Sequence, residues 1–307
     1  MRFLAAVIVG ASLLATTSFA QSAKPAEPFK VGTFDIRKTP TVCLVLRDSL
    51  VVDIANANAA VPGTKLTAPR DMIDLIERYD SGLRSRLVEI VNYLASNNRL
   101  VTSKPDYVHD LKSVRTLAPI LYPSKILNAA VNFYSHVNEA GTPEEQAAAR
   151  QQRRQQRGVP YLFLKPGRGA VVGNGDNVII PYGRDRIDWE VELGAVIGRT
   201  AKYVDANNAQ DYVFGYTVTI DVSDRGGRPP GGFSSGSDWF VGKGHDTFAP
   251  MGPWIVPKEF YGDPMKNLRQ TLSVGGTQLQ EARAGDMIHS LWELIEYGSS
   301  IVTLYPG

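Results

Sequence analysis

Three carboxylates alternate with apolar residues along the segment IDWEVELGAVI at residues 187–197. Asp188, Glu190 and Glu192 occupy every second position, and side chains at i, i+2 and i+4 of a β-strand share one face. The alternation therefore predicts a strand with one apolar and one anionic face. Such a face either meets water or holds a hard cation such as Mg²⁺, which lowers the repulsion among the acids.

A second segment, YVFGYTVTIDVSDR at residues 212–225, repeats this alternation. Its aromatic and aliphatic residues fall on one side, and Thr217, Thr219 and Asp221 fall on the other. Two such strands side by side could supply three carboxylate oxygens to one octahedral cation and leave its other positions to water or substrate. The spacing alone does not distinguish such a metal site from an acidic face that meets water.

The elements that must position these acids divide the chain into two predicted domains. Short strands and two helices, the latter at 72–96 and broken at Asp80-Ser81-Gly82, predict a small N-terminal α+β domain at residues 29–114. From residue 115 onward, many short strands with Gly and Pro turns predict a β-rich domain that extends to residue 307. The predicted fold class is therefore α+β.

One helix is predicted inside the second domain, in the segment GTPEEQAAARQQRRQQRG at residues 141–158. Thr142 and Glu145 form a capping box, Pro143 suits the first helical position, and Gly158 suits the C-terminal cap. Because this helix has almost no apolar face, it is either a solvated surface helix or a mobile lid over a nearby site.

The N-terminus is typical of an exported protein. Residues 1–20 combine one basic residue, an apolar run and a Ser-Phe-Ala cleavage site, which predicts a signal peptide followed by a linker at residues 21–28. The alternative is an uncleaved membrane anchor, but the apolar run is short for a bilayer span. We expect a periplasmic or secreted protein without membrane attachment after cleavage, in which the single Cys43 is a small buried apolar residue.

The charge pattern argues against nucleic acid as a partner. The 307 residues include 33 Lys and Arg and 31 Asp and Glu, which gives a formal net charge of +2. No basic stretch is interleaved with aromatic residues in the way that a nucleic-acid surface would be.

Five blocks of the sequence, in order, resemble the motif series of the fumarylacetoacetate hydrolase family. They read LYPSKILNAAVNFYSHVNE, YLFLKP, DWEVELGAVIGR, FGYTVTIDVSDR and GSDWFVGKGHDTFAPMGPWIV, and the resemblance covers about residues 120–307. It implies a catalytic domain with a mixed β-roll fold, a bound Mg²⁺ or Mn²⁺ with Ca²⁺ as a further candidate, and a homodimer. It also implies hydrolysis or decarboxylation of β-diketo or 2-oxo acids.

The resemblance assigns roles to individual residues of this chain. Glu190, Glu192 and Asp221 match the family's metal ligands. His136 and Glu139 match its catalytic dyad, three positions apart on a short helical turn where i and i+3 are neighbours. Retention of both dyad residues favours hydrolysis by an activated water molecule.

Further polar residues are assigned with alternatives left open. Lys243 matches a catalytic lysine that meets developing oxygen charge, and Arg225 and Lys165 match positions that bind the substrate carboxylate or frame the site. Each of the three could instead be an exposed surface charge. Asp188 shares the acidic face but not the ligand set, and His245 is a polar candidate without an assigned role.

The expected function is hydrolysis of a carbon–carbon bond in a 2,4-dioxo acid such as an acylpyruvate. The alternatives are decarboxylation, isomerisation or hydration of a 2-oxo acid on the same scaffold, or a non-catalytic binding protein of the exported compartment. The resemblance also implies that the chain is truncated after IVTLYPG, where the family continues into another strand and a Gly-Thr-Pro turn. We therefore expect an unpaired strand edge or an open pocket wall near Asp221, unless this protein has dispensed with that segment.

Overall fold

The computed structural model describes residues 24–96, 98–228 and 238–307. The signal peptide predicted at residues 1–20 and the first residues of the predicted linker lie outside the described residues. Within the described ranges, no helix is both long and apolar enough to cross a membrane.

The described residues form thirteen strands and eight α-helices. The strands are β1 (Lys30–Ile36), β2 (Thr39–Leu46), β3 (Leu50–Asp53), β4 (Val108–Asp110), β5 (Arg115–Thr116), β6 (Ile126–Ala129), β7 (Leu162–Lys165), β8 (Val171–Val172), β9 (Ile187–Ile197), β10 (Val213–Asp224), β11 (Ala249–Pro257), β12 (Arg269–Val274) and β13 (Thr277–Arg283). The helices are α1 (Ile54–Ala60), α2 (Met72–Arg78), α3 (Arg84–Ser96), α4 (Pro143–Gln155), α5 (Trp239–Lys243), α6 (Lys258–Tyr261), α7 (Pro264–Asn267) and α8 (Leu291–Ile301).

A nine-stranded, mostly antiparallel sheet organises the molecule. Its main strand order is β4-β3-β2-β1-β11-β10-β9, with β5 paired to β1 and β8 paired in parallel to β11. β12 with β13 and β6 with β7 form two separate antiparallel pairs. The architecture confirms the predicted α+β class.

The N-terminal elements share this sheet and the largest hydrophobic core with later parts of the chain. Val31 of β1 pairs with Ile255 of β11, and the core that holds α2 and α3 also contains Val196 and Phe214. Burial of such side chains is the main favourable contribution to folding. The division into domains at residues 114 and 115, like the continuation beyond Gly307, stays a prediction.

Several helix boundaries follow from local sequence. The break at Asp80-Ser81-Gly82 is confirmed, because Gly82 adopts a φ of 106° between α2 and α3. The capping box of Thr142 and Glu145 at the start of α4 is also confirmed. The predicted C-terminal cap is wrong.

Gln156 caps α4, and Gly158 lies two residues further on with a φ of 68°. The backbone N–H of Gln156 donates the last hydrogen bond of the helix, to the Gln152 carbonyl, and the chain leaves the helix there without a glycine. Gly158 instead provides the left-handed conformation of the loop that follows.

Both predicted acidic strands are confirmed as β9 and β10, which pair along their whole length. The polar side of β10 is not a solvent face, because Asp221 is 1% exposed and Ser223 is likewise buried, while Val218 is half exposed. The reason is that Lys165 of β7 and Lys243 of α5 cover Asp221. β10 lies between β9 and β11, and β9 is the outermost strand of the sheet in the described part of the chain.

Candidate active site

The register of β9 and β10 brings three carboxylates together. Asp221 lies directly opposite Glu190, and Glu192 lies two residues along β9 and therefore on the same face. One carboxylate oxygen from each of the three lies within 4.8 Å of the others. We call Glu190, Glu192 and Asp221 the acidic triad.

Burial makes this arrangement costly without a cation. Desolvation, with further repulsion from Asp221 and Glu190, raises the pKa of Glu192 to about 8. Three carboxylates held this close, one of them displaced so far towards the neutral form, fit a site for a hard divalent cation with oxygen ligands. The triad can therefore hold Mg²⁺ or Mn²⁺.

Two buried lysines contact the triad from the side of β7 and α5. Lys165 donates to Asp221 and, at 2.9 Å, to the carbonyl oxygen of Val222, and burial lowers the pKa of Lys165. Lys243 donates to Asp221, to Ser223 Oγ at 2.6 Å and to Glu190 at 3.4 Å. Neither is a solvated surface charge, since their exposed fractions are 3% and 5%.

The predicted dyad forms and faces the triad. A 3₁₀ turn at Tyr134–His136 places His136 Nδ1 at 2.9 Å from Glu139 Oε2, and His136 Nε2 lies 3.8 Å from Glu190 Oε1. Because Nδ1 is the ring nitrogen beside the Glu139 carboxylate, this contact favours the tautomer with the proton on Nδ1 and the lone pair on Nε2, the atom nearer the triad. The geometry is that of an oriented general base beside a metal site.

Arg225 follows directly after β10 and reaches back to β9. Its guanidinium donates to Asp188 at 2.7 and 3.0 Å and to Glu190 at 2.5 Å. Asp188, which shares the acidic face with the triad, thus binds Arg225 rather than taking part in the three-carboxylate cluster.

The triad, the dyad, Arg225 and Lys243 line one cavity of about 420 Å³. Lys165 is not among its lining residues and lies behind Asp221, which favours a framing role over direct contact with substrate. The aromatic rings of Phe163 and Trp239 form part of the wall, with centroids 4.8 Å apart. The hairpin of β12 and β13 closes another side.

Two polar contacts at the site were missed by the sequence analysis. Asn128 of β6 donates to Glu192 Oε2 at 2.6 Å, and Ser223 accepts from Lys243. The alternation of β10 could have indicated Ser223, since it lies two residues beyond Asp221 on the same face. No local pattern marks Asn128, because it reaches Glu192 only through tertiary packing.

His245, left without a role by the sequence, lies beside the loop that carries Arg225. Its Nε2 is 3.3 Å from Asp224 Oδ2, and Asp224 also accepts from Arg184 and from the backbone N–H of Gly226 at 2.8 Å. Although burial acts in the opposite direction, these hydrogen bonds lower the pKa of Asp224. Asp224 therefore anchors the turn that follows β10.

α4 has no buried residue, and polar contacts join it to the segment that carries the dyad. This agrees with the predicted solvated surface helix, and the contacts join it to the dyad segment. The contacts are Gln146 Nε2 to the Glu139 carbonyl at 3.1 Å, Arg150 Nη2 to the Ser135 carbonyl at 3.2 Å, and the Arg154 guanidinium 4.0 Å from the centre of the Tyr134 ring.

The fold and the site together define an α+β protein with a cluster of three carboxylates that could hold a metal ion and an adjacent His136–Glu139 pair. Residues 125–307 match the family model described as fumarylacetoacetate (FAA) hydrolase, C-terminal. The chain belongs to the fumarylacetoacetate hydrolase family.

Similar proteins within this family have different activities. A mitochondrial oxaloacetate tautomerase of Bos taurus is 34% identical over 244 residues, which are 78% of this chain and 68% of that protein. A 2,4-didehydro-3-deoxy-L-rhamnonate hydrolase of Sphingomonas sp. (strain SKA58) is 35% identical over 208 residues, 68% of this chain and 64% of that protein. The crystal structure of maleylpyruvate hydrolase from Sphingobium sp. SYK-6, in complex with manganese(II) and pyruvate, superposes with a TM-score of 0.64 at 26% identity and covers 91% of this chain and 85% of that one.

Proposed function

We propose that this protein is a divalent-metal-dependent hydrolase that cleaves a carbon–carbon bond in an acylpyruvate-like 2,4-dioxo acid. The observation that carries the proposal is the His136–Glu139 pair, whose free Nε2 faces the triad at 3.8 Å from Glu190. The reaction is R–CO–CH₂–CO–CO₂⁻ + H₂O → R–CO₂⁻ + CH₃–CO–CO₂⁻ + H⁺. A manganese- and pyruvate-bound structural relative supports this class of chemistry.

The chain's own side chains provide the proton transfer and the orientation. His136 Nε2 takes a proton from the water that attacks the 4-carbonyl, while Glu139 holds the imidazole in the required tautomer and stabilises its charge. Lys243 is placed to donate to the oxyanion that forms at that carbonyl. Arg225, exposed towards the cavity, binds the substrate carboxylate.

Glu190, Glu192 and Asp221 would hold the divalent cation. When bound there, Mg²⁺, Mn²⁺ or Ca²⁺ supplies Lewis-acidic charge that lowers the cost of negative charge on the 2-oxo side of the substrate. Cleavage transfers the electron pair of the broken bond to the methylene carbon of the pyruvate half, which then gains a proton to become the methyl group. His136, protonated in the first step, is the nearest proton donor of the dyad.

A substrate panel tests this proposal. Chelator-treated protein is supplied with Mg²⁺, Mn²⁺ or Ca²⁺ and assayed for pyruvate release from acylpyruvates and for keto–enol interconversion of oxaloacetate. We expect metal-dependent release of pyruvate and the acyl acid in equal amounts. Interconversion of oxaloacetate without any release of pyruvate from acylpyruvates would overturn the proposal in favour of a tautomerase.

The His136→Asn variant makes the panel specific to the dyad. General acid–base catalysis contributes about 10²- to 10⁴-fold, so we expect hydrolysis to fall by at least about a hundredfold. Metal binding should persist, because His136 is not one of the three clustered carboxylates.

A further inference from the structure

We propose that the acyl group of the substrate is apolar and uncharged, so that the site selects 2,4-dioxo acids with one carboxylate over dicarboxylates. This inference rests on the proposed function and names the substrate class for the same cavity. It is carried by the side of the cavity that the β12–β13 hairpin forms.

The hairpin is fixed to the strand that carries two of the triad acids. Gln280 accepts from the backbone N–H of Val191 at 2.8 Å and donates to its carbonyl at 2.9 Å, and Gln270 donates to the same carbonyl at 3.0 Å. Val191 lies between Glu190 and Glu192 in β9. The hairpin wall therefore has a defined position beside the triad.

Apolar side chains of the hairpin line the cavity. The register pairs Gln270 with Ala282 and Leu272 with Gln280, so Leu272 and Ala282 share a face with the two glutamines that bind β9. Leu279, 55% exposed, is a further lining residue. Together with the Phe163 and Trp239 rings, this wall suits a hydrocarbon group.

The charges around the cavity disfavour a second carboxylate. Among the described lining residues, Arg225 and Lys243 are the fixed cations, and both already bind site carboxylates. The number of acidic side chains in the lining exceeds the total positive charge of Arg225, Lys243 and a bound divalent cation. These acids are Glu139, Asp188, Glu190, Glu192, Asp221 and Glu281.

Glu281 is the lining carboxylate on the hairpin side, and it is already paired with Arg269 and, at 3.4 Å, with Arg283. Hydrogen bonds from Arg269 and Gln278 lower the pKa of Glu281 to about 2, so it is ionised at neutral pH. Arg269 is held by Glu281 at 2.9 Å and is not a lining residue. A carboxylate at the end of the acyl group would thus meet leucine side chains, and the described lining offers it no cation that is not already bound to a site carboxylate.

Calorimetry with 2-oxo acids tests the inference without turnover, because these ligands lack the 4-carbonyl that is attacked. The Mn²⁺-loaded protein is titrated with 2-oxobutanoate, 2-oxohexanoate, 2-oxooctanoate and 2-oxoadipate. We expect binding to tighten about three- to fourfold for each added CH₂ group. We expect 2-oxoadipate to bind at least tenfold more weakly than 2-oxohexanoate, which has the same chain length.

Equal affinity for 2-oxoadipate and 2-oxohexanoate, or no binding by any member of the series, would overturn the inference. Failure of this inference can be distinguished from failure of the proposed function. Tight binding of long 2-oxo acids without cleavage of acylpyruvates would remove the hydrolase proposal alone. Preferred cleavage of dicarboxylic acylpyruvates would remove the acyl-group inference alone.

A matched pair of variants locates the acyl group at the hairpin. Leu279→Arg adds a cation to the cavity wall and should improve the affinity for 2-oxoadipate, relative to 2-oxohexanoate, at least tenfold. Val274→Arg adds the same side chain to the same hairpin at a residue that is 47% exposed and outside the described lining, and should leave the ratio within twofold.

Leu272→Ala tests whether the chain-length dependence arises at the same wall. In this variant we expect the affinity to change little as CH₂ groups are added to the 2-oxo acid. A second, apolar cavity, lined in part by Leu127 and Leu193, adjoins the first at Glu192. An acyl group that entered this second cavity would leave the length dependence unchanged in Leu272→Ala and the selectivity unchanged in Leu279→Arg, and either result would overturn the inference.

Discussion

At the scale of single residues, the site depends on Asp221 more than on any other acid. It lies opposite Glu190 in the strand pair, is 1% exposed, and accepts hydrogen bonds from both Lys165 and Lys243. The hydrogen bonds from the two lysines offset the cost of removing the Asp221 carboxylate from water. A cation at the triad would add to this compensation and favour the charged form of Glu192.

Asp221→Asn should therefore abolish tight metal binding. Second-shell changes cost 10- to 100-fold in metal affinity, so loss of a carboxylate ligand should cost more than about a hundredfold, as measured by calorimetry with Mn²⁺. Asp188→Asn is the matched control, because it removes the same charge from the same face of the sheet, in the neighbouring strand and outside the triad. Equal affinities in the two variants would show that the triad is not the metal site.

His289 should make the stability of the folded protein sensitive to mild acid. It is 4% exposed, and burial together with the nearby positive charge of Arg157 lowers its pKa, although Glu293 acts in the opposite direction. The unfolded chain then binds the proton more readily than the folded chain near pH 6.5 and below. The stability that neutral His289 contributes is fully present above about pH 6.5. It is lost as the pH falls from there to the lower pKa that His289 has in the folded protein.

We expect the free energy of unfolding to decrease below pH 6.5, by at most about 1.4 kcal/mol per pH unit from this residue. Urea unfolding of wild type and His289→Gln between pH 5 and pH 7 measures the effect. The variant should have a smaller pH slope. Identical slopes would show that His289 is not responsible.

At the scale of elements, the sequence predicted the parts of the site that come from strand periodicity. The alternation in β9 and β10 predicted which acids share a face, and their pairing confirmed it. It could not predict the lysine from β7 or the hairpin glutamines, because period-two patterns identify a face without identifying what covers it. The helix signals of α4 predicted its start correctly and its end incorrectly, since Gln156 caps it in place of Gly158.

α4 contacts the dyad segment through Arg150, and removing that contact should affect catalysis rather than folding. In Arg150→Ala the Ser135 carbonyl loses its donor, a hydrogen bond of about 1 kcal/mol, so we expect kcat to fall about fivefold with KM within twofold. Circular dichroism should be unchanged, because α4 has no buried residue.

Gln151→Ala is the control for this prediction. Gln151 is the exposed neighbour of Arg150 in the same helix, and its truncation should leave kcat unchanged. Equal effects of the two substitutions would assign any loss to the helix as a whole and not to the Ser135 contact.

At the scale of the whole molecule, one sheet contains strands from both sides of residue 115. Local patterns could not show that β1 would pair with β11, about 220 residues later, or that Tyr79 would donate to Glu259 at 2.8 Å. Such long-range contacts depend on the complete set of packed faces. The class of the fold and the acidic centre were predictable, whereas the joining of its halves was not.

The homodimer implied by the sequence resemblance stays a prediction with a specific surface. Four large apolar side chains are exposed within five residues, which is unusual for a surface that meets only water. We expect light scattering to give a dimer mass, and Ile179→Lys with Ile180→Lys to shift it towards the monomer. A monomer mass for the wild type at all concentrations would contradict this. The four residues are Val178, Ile179, Ile180 and Tyr182, with exposed fractions of 37%, 58%, 61% and 105%.

The most direct test of the central claim is the fate of solvent oxygen during turnover. An acylpyruvate is incubated with the Mn²⁺-loaded protein in H₂¹⁸O, and the acid products are analysed by mass spectrometry. If water activated by His136 attacks the 4-carbonyl, the released acyl acid gains one ¹⁸O atom from the solvent. This atom comes in addition to any ¹⁸O that the substrate carbonyl exchanges in the same buffer without protein. Pyruvate should form in an amount equal to that of the acyl acid. Loss of substrate without a labelled acyl acid, through carbon dioxide release or keto–enol interconversion, would contradict hydrolysis at this site.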